Sequence, residues 1–275
     1  MRLPGLRAEM ARLRGEARRR APRPPSPAAL ALAADPAAAV RAMGWEPDPW
    51  QAAFLADPHR RQTILACRRA GKSLAAAART LAHCSARRDA LAMVFSPTMR
   101  QSVEFARYCR DMDDALGRPV PRERETLTQV EWSNGSRLMS LPDNQRGVVG
   151  FTPTLVVIDE ASRVSDDLYK SVRPMLALGA ELIVLSTPLG KRGFYFDIWN
   201  DPARLGRFRW WKVTADRCPR ITREFLAEER LELGERWFMQ EWYCEFTDSV
   251  DAVFRMDDIE AARSDGIAPL FDVGA

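Results

Sequence analysis

An α/β fold with a mostly parallel sheet and helices on both faces is what this sequence of 275 residues predicts. Two observations support the prediction. From Thr63 onward, short apolar runs alternate with longer helical segments, and a loop of small and basic residues joins the first run to the first long helix. The composition, 46% hydrophobic and 28% charged, is that of a globular chain with a full core.

The elements can be placed in order along the chain. Asn134 and Gly135 lie between two paired strands, and both residue types tolerate the positive φ of a hairpin turn. After Pro188 the pattern becomes helical and rich in aromatic residues; we expect these mainly in the core, although they could also stack on bases. We predict strands at 63–67, 91–96, 154–159 and 181–186, a strand pair around 128–141, and helices at 28–44, 73–86, 99–116 and 165–178.

Cysteine spacing and hydropathy exclude several classes of protein. The five cysteines are scattered without a C-x-x-C pair, and the chain has two histidines, which argues against a zinc site or a disulfide framework. No run of 18 or more apolar residues and no secretory signal pattern occurs in the sequence. We therefore expect a cytoplasmic protein without a membrane span.

The segment CRRAGKS at residues 67–73 has the strand–loop–helix context of a phosphate-binding loop. Lys72 would reach the β- and γ-phosphates, and the Ser73 hydroxyl would bind Mg²⁺. Where the pattern G-x-x-x-x-G-K-[ST] has its first glycine, this chain has Ala66. The backbone N–H groups that would hold phosphate oxygens are those of Arg69, Ala70, Gly71, Lys72 and Ser73.

A second motif, LVVIDEA at residues 155–161, ends a buried strand in two adjacent carboxylates. Asp159 would complete the Mg²⁺ shell, and Glu160 would polarise the attacking water. Each motif also occurs elsewhere without this role, as a surface tripeptide or as a core strand with a charged end. Together, in this order and spacing, they predict a P-loop NTPase of the RecA/ASCE-like type that hydrolyses a nucleoside triphosphate.

Further segments surround these two motifs in a fixed order. The set resembles the ATPase half of large terminase subunits, the motors that pump double-stranded DNA into tailed-phage capsids, and the resemblance covers roughly residues 45–255. The segments that carry it are DPWQ at 48–51, the paired arginines before AGKS, FSPTMRQS from Phe95, Arg146-Gly147, LSTPLGKRGFYFDIW from Leu185, and Trp237, Gln240, Glu241 and YCEF near the end.

The resemblance implies roles for individual residues, with ATP as the nucleotide. Trp50 and Gln51 would flank the adenine, with a buried linker glutamine as the other interpretation of Gln51. Arg68 would act on the γ-phosphate in cis. Arg146 would act on a neighbouring subunit's nucleotide, or else form a surface salt bridge. Ser186 and Thr187, at the end of the next strand, would couple the loss of the γ-phosphate to movement.

The resemblance also implies partners: double-stranded DNA, a homo-oligomeric ring on a portal protein, and a small terminase subunit, all in the cytoplasm of a bacterial host. Large terminases usually continue into a nuclease with a two-metal site. Asp272 lies where the first metal-binding aspartate of that nuclease would begin. One carboxylate cannot build such a site, so we expect no nuclease activity from this chain.

We divide the chain into a basic, proline-rich tail at 1–29, a P-loop ATPase core at 30–200, and a helical linker subdomain at 201–275 that leads to an absent or truncated nuclease. The tail has eight arginines and two acidic residues, so it either contacts DNA or an acidic partner or is a solvated leader. Two alternatives to the motor stay open: a superfamily-2 helicase-like or remodelling ATPase, and a degenerate P-loop scaffold.

Overall fold

The computed structural model describes residues 24–144 and 150–247. The strands are β1 Arg61–Ala66, β2 Leu91–Ser96, β3 Arg122–Glu125, β4 Gln129–Trp132, β5 Arg137–Pro142, β6 Leu155–Asp159, β7 Glu181–Ser186 and β8 Arg209–Val213. The helices are α1 Pro27–Ala34, α2 Ala37–Ala42, α3 Pro49–Ala56, α4 Lys72–Ala86, α5 Met99–Ala115, α6 Asp166–Val172, α7 Gly193–Asn200, α8 Pro202–Leu205 and α9 Arg223–Tyr243.

All eight strands belong to one sheet, in the order β3-β4-β5-β2-β6-β7-β1-β8. The six strands from β5 to β8 in that order pair in parallel, and β3 and β4 add an antiparallel edge. The predicted α/β fold with a mostly parallel sheet is therefore confirmed. Because β6, β7 and β1 are neighbours, the loops after their carboxyl ends lie side by side.

The core lies between the sheet and the helices packed on it. Strands β2, β6 and β7 are buried along their whole length, as expected for parallel strands covered on both faces. Helix α4 buries four consecutive alanines, residues 75–78, and contacts α1, α5 and the strands β2, β6 and β7. Small side chains on every side allow this helix, which begins at the phosphate loop, to lie close to its neighbours.

Three details differ from the sequence prediction. The helix expected at 28–44 is two helices, because Pro36 lacks the N–H that a continuous helix needs. The helix expected at 165–178 ends as an α-helix at Val172 and continues as a 3₁₀ turn that contains Pro174. The segment after Pro188 is not purely helical, because β8 at 209–213 pairs with β1 and extends the sheet.

The predicted hairpin is present, but the two turn residues have different functions. Gly135 has a φ of +82°, whereas Asn134 donates hydrogen bonds from its amide to the carbonyls of Cys84 and Arg87, both at 2.8 Å. The loop between β4 and β5 is thereby attached to the end of α4. Within the described ranges, no helix has the length and apolar character that a membrane crossing requires.

A buried ion pair fastens β3 to α5. Arg122 donates from Nε to the Asp113 carboxylate at 2.7 Å, and the indole of Trp132 donates to the same carboxylate at 3.1 Å. The Asp113 side chain is fully buried, and that of Arg122 is 6% exposed. Burial raises the pKa of Asp113 above its ordinary value, although the hydrogen bonds from Arg122 and Trp132 oppose this shift.

Candidate active site

The phosphate loop connects β1 to α4 at the carboxyl edge of the sheet. Two of its residues adopt left-handed backbone conformations, Arg69 with a φ of +59° and Gly71 with a φ of +78°. The positive φ favours glycine at position 71, and a Cβ there would lie 2.5 Å from Nε2 of Gln51, so the amide of Gln51 would have to move. Ala66 ends β1 as a buried strand residue outside the left-handed region, which explains why alanine is tolerated there.

Residues of the two main motifs meet across this edge. Ser73 donates from its hydroxyl to Oδ1 of Asp159 at 3.0 Å, and Nζ of Lys72 lies 3.1 Å from Oε1 of Glu160. Glu160 has a φ of +52°, a conformation that costs a non-glycine residue about 1 kcal/mol and is often found at functional sites. The structure therefore brings these four side chains together at one edge of the sheet, and the roles that the sequence assigns to them stay predictions.

Asp159 is a buried carboxylate whose pKa is shifted from its ordinary value. Burial, and secondly the adjacent charge of Glu160, raise the pKa of Asp159 to about 7. Hydroxyl and carboxylate oxygens are ligands that suit Mg²⁺, so Ser73 and Asp159 fit this ion. The described residues contain no cluster of three or more His, Cys, Asp or Glu side chains that could hold a metal alone. In general, Mg²⁺ sites take most of their ligands from phosphate oxygens and water.

The end of β7 contacts both motifs. Ser186 and Thr187 are buried, and Nζ of Lys72 donates to Oγ1 of Thr187 at 3.4 Å. Ser162 binds both of these residues: its N–H donates to the Ser186 hydroxyl at 3.1 Å, and its own hydroxyl donates to the Thr187 carbonyl at 2.8 Å. The predicted coupling residues are therefore joined to the turn that carries Glu160.

Two residues directly after the DEA motif were not predicted from the sequence. One is Ser162, and the other is Arg163, whose Nη1 lies 3.2 Å from Oε2 of Glu160. The Glu160 carboxylate thus lies between Lys72 and Arg163. A signal for both was available, because a hydroxyl and a cation follow the paired carboxylates on a loop at the carboxyl end of a strand.

The residues predicted to flank the adenine have other contacts. Gln51 is buried; its Oε1 accepts from the N–H of Asp48 at 2.8 Å, and its Nε2 donates to the carbonyls of Ala70 and Gly71, both at 3.2 Å. Trp50 is 8% exposed and faces the groove beside β8 rather than the phosphate loop. In this structure Gln51 supports the loop, and its contact with adenine stays a prediction.

The C-terminal segment also contacts the phosphate loop. Arg68 forms an ion pair with Glu241 of α9, and its N–H donates to the Glu241 carbonyl at 3.0 Å. Arg220 donates from Nη2 to Oδ2 of Asp48 at 2.8 Å and to the Ala70 carbonyl at 3.3 Å. Glu241 was one of the residues in the sequence resemblance, but its partner could not be read from the sequence.

These groups surround a cavity of about 1110 Å³. Its walls come from the phosphate loop, the turn after β6, the end of β7 and the segment that leads into α9. The lining residues are Arg68, Arg69, Lys72, Gln101, Glu160, Arg163, Thr187, Arg220, Ile221, Thr222, Phe225, Glu229 and Trp242. A second cavity, of about 420 Å³, adjoins Gly71 and is lined by Gly44, Trp45, Glu46, Gly71, Leu74, Tyr108 and Arg220.

Some predicted residues lie outside the part of the chain that the structure describes. These are Arg146, Asp272 and the arginines of the tail up to Arg23. Their roles stay predictions.

A phosphate loop before a helix, a Ser–Asp pair and a glutamate at the end of a neighbouring parallel strand define the class of P-loop ATPases. A sequence-family comparison gives the particular family. Residues 63–261 match the family described as terminase large subunit, T4likevirus-type, N-terminal. The chain therefore belongs to the large terminase family, the ATPases of DNA-packaging motors, which makes the helicase and scaffold alternatives the weaker ones.

Solved structures agree with this assignment at the level of the fold. The large terminase ATPase domain of Thermus phage P74-26 is similar, with a TM-score of 0.65 at 18% identity over 75% of this chain and 96% of that one. The large terminase of another thermophilic bacteriophage, solved with ADP, gives 0.62 at 12% identity over 72% and 53%. That of bacteriophage HK97 gives 0.58 at 16% identity over 72% and 50%. None of the curated proteins matches in sequence.

The chain spans about half the length of the longer large terminases that it resembles. What it shares with them is the ATPase fold. Membership of the family implies ATPase activity, and DNA and the packaging machinery as general partners.

Proposed function

We propose that this chain binds Mg²⁺ and ATP in the cavity beside Lys72 and Glu160 and hydrolyses ATP to move double-stranded DNA into a capsid. The observation that carries the proposal is the meeting of Ser73, Asp159, Lys72 and Glu160 across two adjacent strand ends. In P-loop enzymes catalysis consists almost entirely of positioning and charge stabilisation, and these four side chains supply both.

Each residue has a defined task in this proposal. Lys72 binds the β- and γ-phosphates, and Glu160 orients the attacking water and accepts its proton. Ser73 and Asp159 hold Mg²⁺. When bound, the ion supplies positive charge that offsets the charge on the phosphate oxygens. Because Lys72 lies 3.1 Å from Glu160 in this structure, binding of the triphosphate would separate the pair and free the carboxylate for water.

We place the base of the nucleotide in the cavity lined by Trp45, Leu74 and Tyr108, which adjoins Gly71. The indole of Trp45 is half exposed and offers an aromatic face for stacking, whereas Trp50 is buried against β8. Gln51 would then act on the base indirectly, through the loop carbonyls that it binds.

The finer parts of the function rest on the family. We propose double-stranded DNA as the translocated substrate, a homo-oligomeric ring on a portal protein, a small terminase subunit as partner, and the cytoplasm of a bacterial host as the location. Arg146 is the candidate for a residue that acts on a neighbour's nucleotide. Mixing Arg146→Ala subunits with Glu160→Gln subunits tests this role, because only mixed interfaces restore a site with both intact residues.

ATP turnover with and without duplex DNA tests the proposed function. We expect Mg²⁺-dependent hydrolysis that EDTA abolishes and that duplex DNA accelerates. Glu160→Gln should bind ATP with little loss and lose at least about 100-fold in turnover, because only the water-activating carboxylate is removed. Asp167→Asn, at an exposed acid on the neighbouring helix, is the matched control. Turnover by Glu160→Gln at the wild-type rate would contradict the proposal.

A further inference from the structure

Glu241 is a buried carboxylate on α9 that contacts the phosphate loop through Arg68. Its side chain is 7% exposed, and it lies on α9, 173 residues along the chain from its partner Arg68. The bond is made by Nε of Arg68, and the two terminal Nη groups have no partner among the described residues. Arg68 itself is 56% exposed and lines the large cavity.

An arginine held in this way differs from a free surface arginine. A guanidinium has donors on three nitrogens, so a carboxylate on Nε leaves both Nη groups available for a phosphate. The backbone strengthens the attachment, because the N–H of Arg68 donates to the Glu241 carbonyl and the N–H of Cys67 donates to the Val213 carbonyl at 2.9 Å. The C-terminal segment therefore fixes the first two loop residues by main-chain and side-chain contacts.

We propose that Glu241 is a positioning residue for ATP hydrolysis: it holds Arg68 by Nε so that the Nη groups are ready to bind the γ-phosphate. This inference rests on the proposed ATPase function. Its physical basis is preorganisation, because an arginine already in place loses little further rotamer freedom when the transition state forms. It follows that α9 completes the ATP site and that residues 30–200 alone are not sufficient for full turnover.

The test is a double-mutant cycle of Arg68→Ala and Glu241→Gln in the full chain, with turnover and ADP affinity measured for each variant. We expect Glu241→Gln to lower kcat about tenfold or more, the loss that follows from one charged hydrogen bond. ADP affinity should change little, because ADP has no γ-phosphate. In the Arg68→Ala background the same Glu241→Gln change should have almost no further effect on kcat.

Glu245→Gln, at an exposed acid four residues further on, is the matched control and should keep wild-type kcat. Glu241→Asp should recover part of the lost turnover, because it restores the charge on a shorter side chain. If Glu241 only supported the fold, Glu241→Gln would weaken ADP binding or lower kcat by the same factor in both backgrounds, and the inference would be wrong. A wild-type chain that neither binds nor hydrolyses ATP would instead refute the proposed function.

Discussion

Replacing Arg122 by methionine should destabilise the fold strongly without touching the ATP site. Methionine keeps much of the aliphatic stem and removes the cation together with its hydrogen bonds to Asp113, Glu125 and the Arg110 carbonyl. Asp113, fully buried, would keep the Trp132 indole as a donor but lose its cation. Removing one partner of a buried ion pair typically costs about 3–5 kcal/mol. That loss is a large part of the about 5–15 kcal/mol by which proteins are stable.

The pKa of Asp113 gives this cost a defined pH dependence. Burial already raises the pKa of Asp113 with Arg122 in place, and removal of Arg122 should raise it further. Between its unfolded and folded pKa values, the folded state of such a group binds more protons than the unfolded state, so acidification stabilises the fold. The penalty of Arg122→Met should therefore be largest at pH 8 and smaller at pH 5.

Urea unfolding followed by circular dichroism at both pH values measures this penalty. Arg118→Ala is the control: it breaks an exposed pair with Asp114 on the same helix end and should cost less than about 1 kcal/mol. Adding Asp113→Asn to Arg122→Met should recover part of the stability, because the unpaired charge is then gone. A penalty for Arg122→Met no greater than that of Arg118→Ala, or one that grows on acidification, would refute the reasoning.

Three further outcomes are expected. Trp45→Ala should weaken ATP binding about tenfold because stacking on the base is lost, whereas Trp50→Ala should lower thermal stability more than ATP affinity. A fluorescent-nucleotide titration in which Trp50→Ala weakens binding more than Trp45→Ala would exclude the proposed position of the base. Ser162→Ala should reduce kcat several-fold at unchanged ATP affinity, because it removes the hydrogen bond from the Ser162 hydroxyl to the Thr187 carbonyl. An unaltered kcat in steady-state kinetics would show that this assignment is wrong. Burial lowers the pKa of His83, so on acidification the imidazole is protonated in the unfolded state before it is protonated in the folded state, and the fold loses stability. The difference in unfolding free energy between the wild type and His83→Gln should therefore shrink from pH 7.5 to 5.5.

The sequence alone predicted where the residues of each motif lie relative to the strands. Gly71, Lys72 and Ser73 follow one strand, and Asp159 ends another, directly before Glu160. The carboxyl ends of parallel strands lie at one edge of a sheet, so predicting the strand type also predicted that the two motifs meet.

Only the tertiary structure decided which aromatic and charged residues lie near the phosphate loop. Trp45 and Trp50 are alike in a sequence pattern, yet Trp45 is half exposed in a cavity that adjoins Gly71, and Trp50 is buried against β8. Glu241 reaches Arg68 because α9 packs back onto the loop. Local periodicity reports which face of an element is apolar, but a contact between distant segments depends on how whole elements pack, and that information is not local.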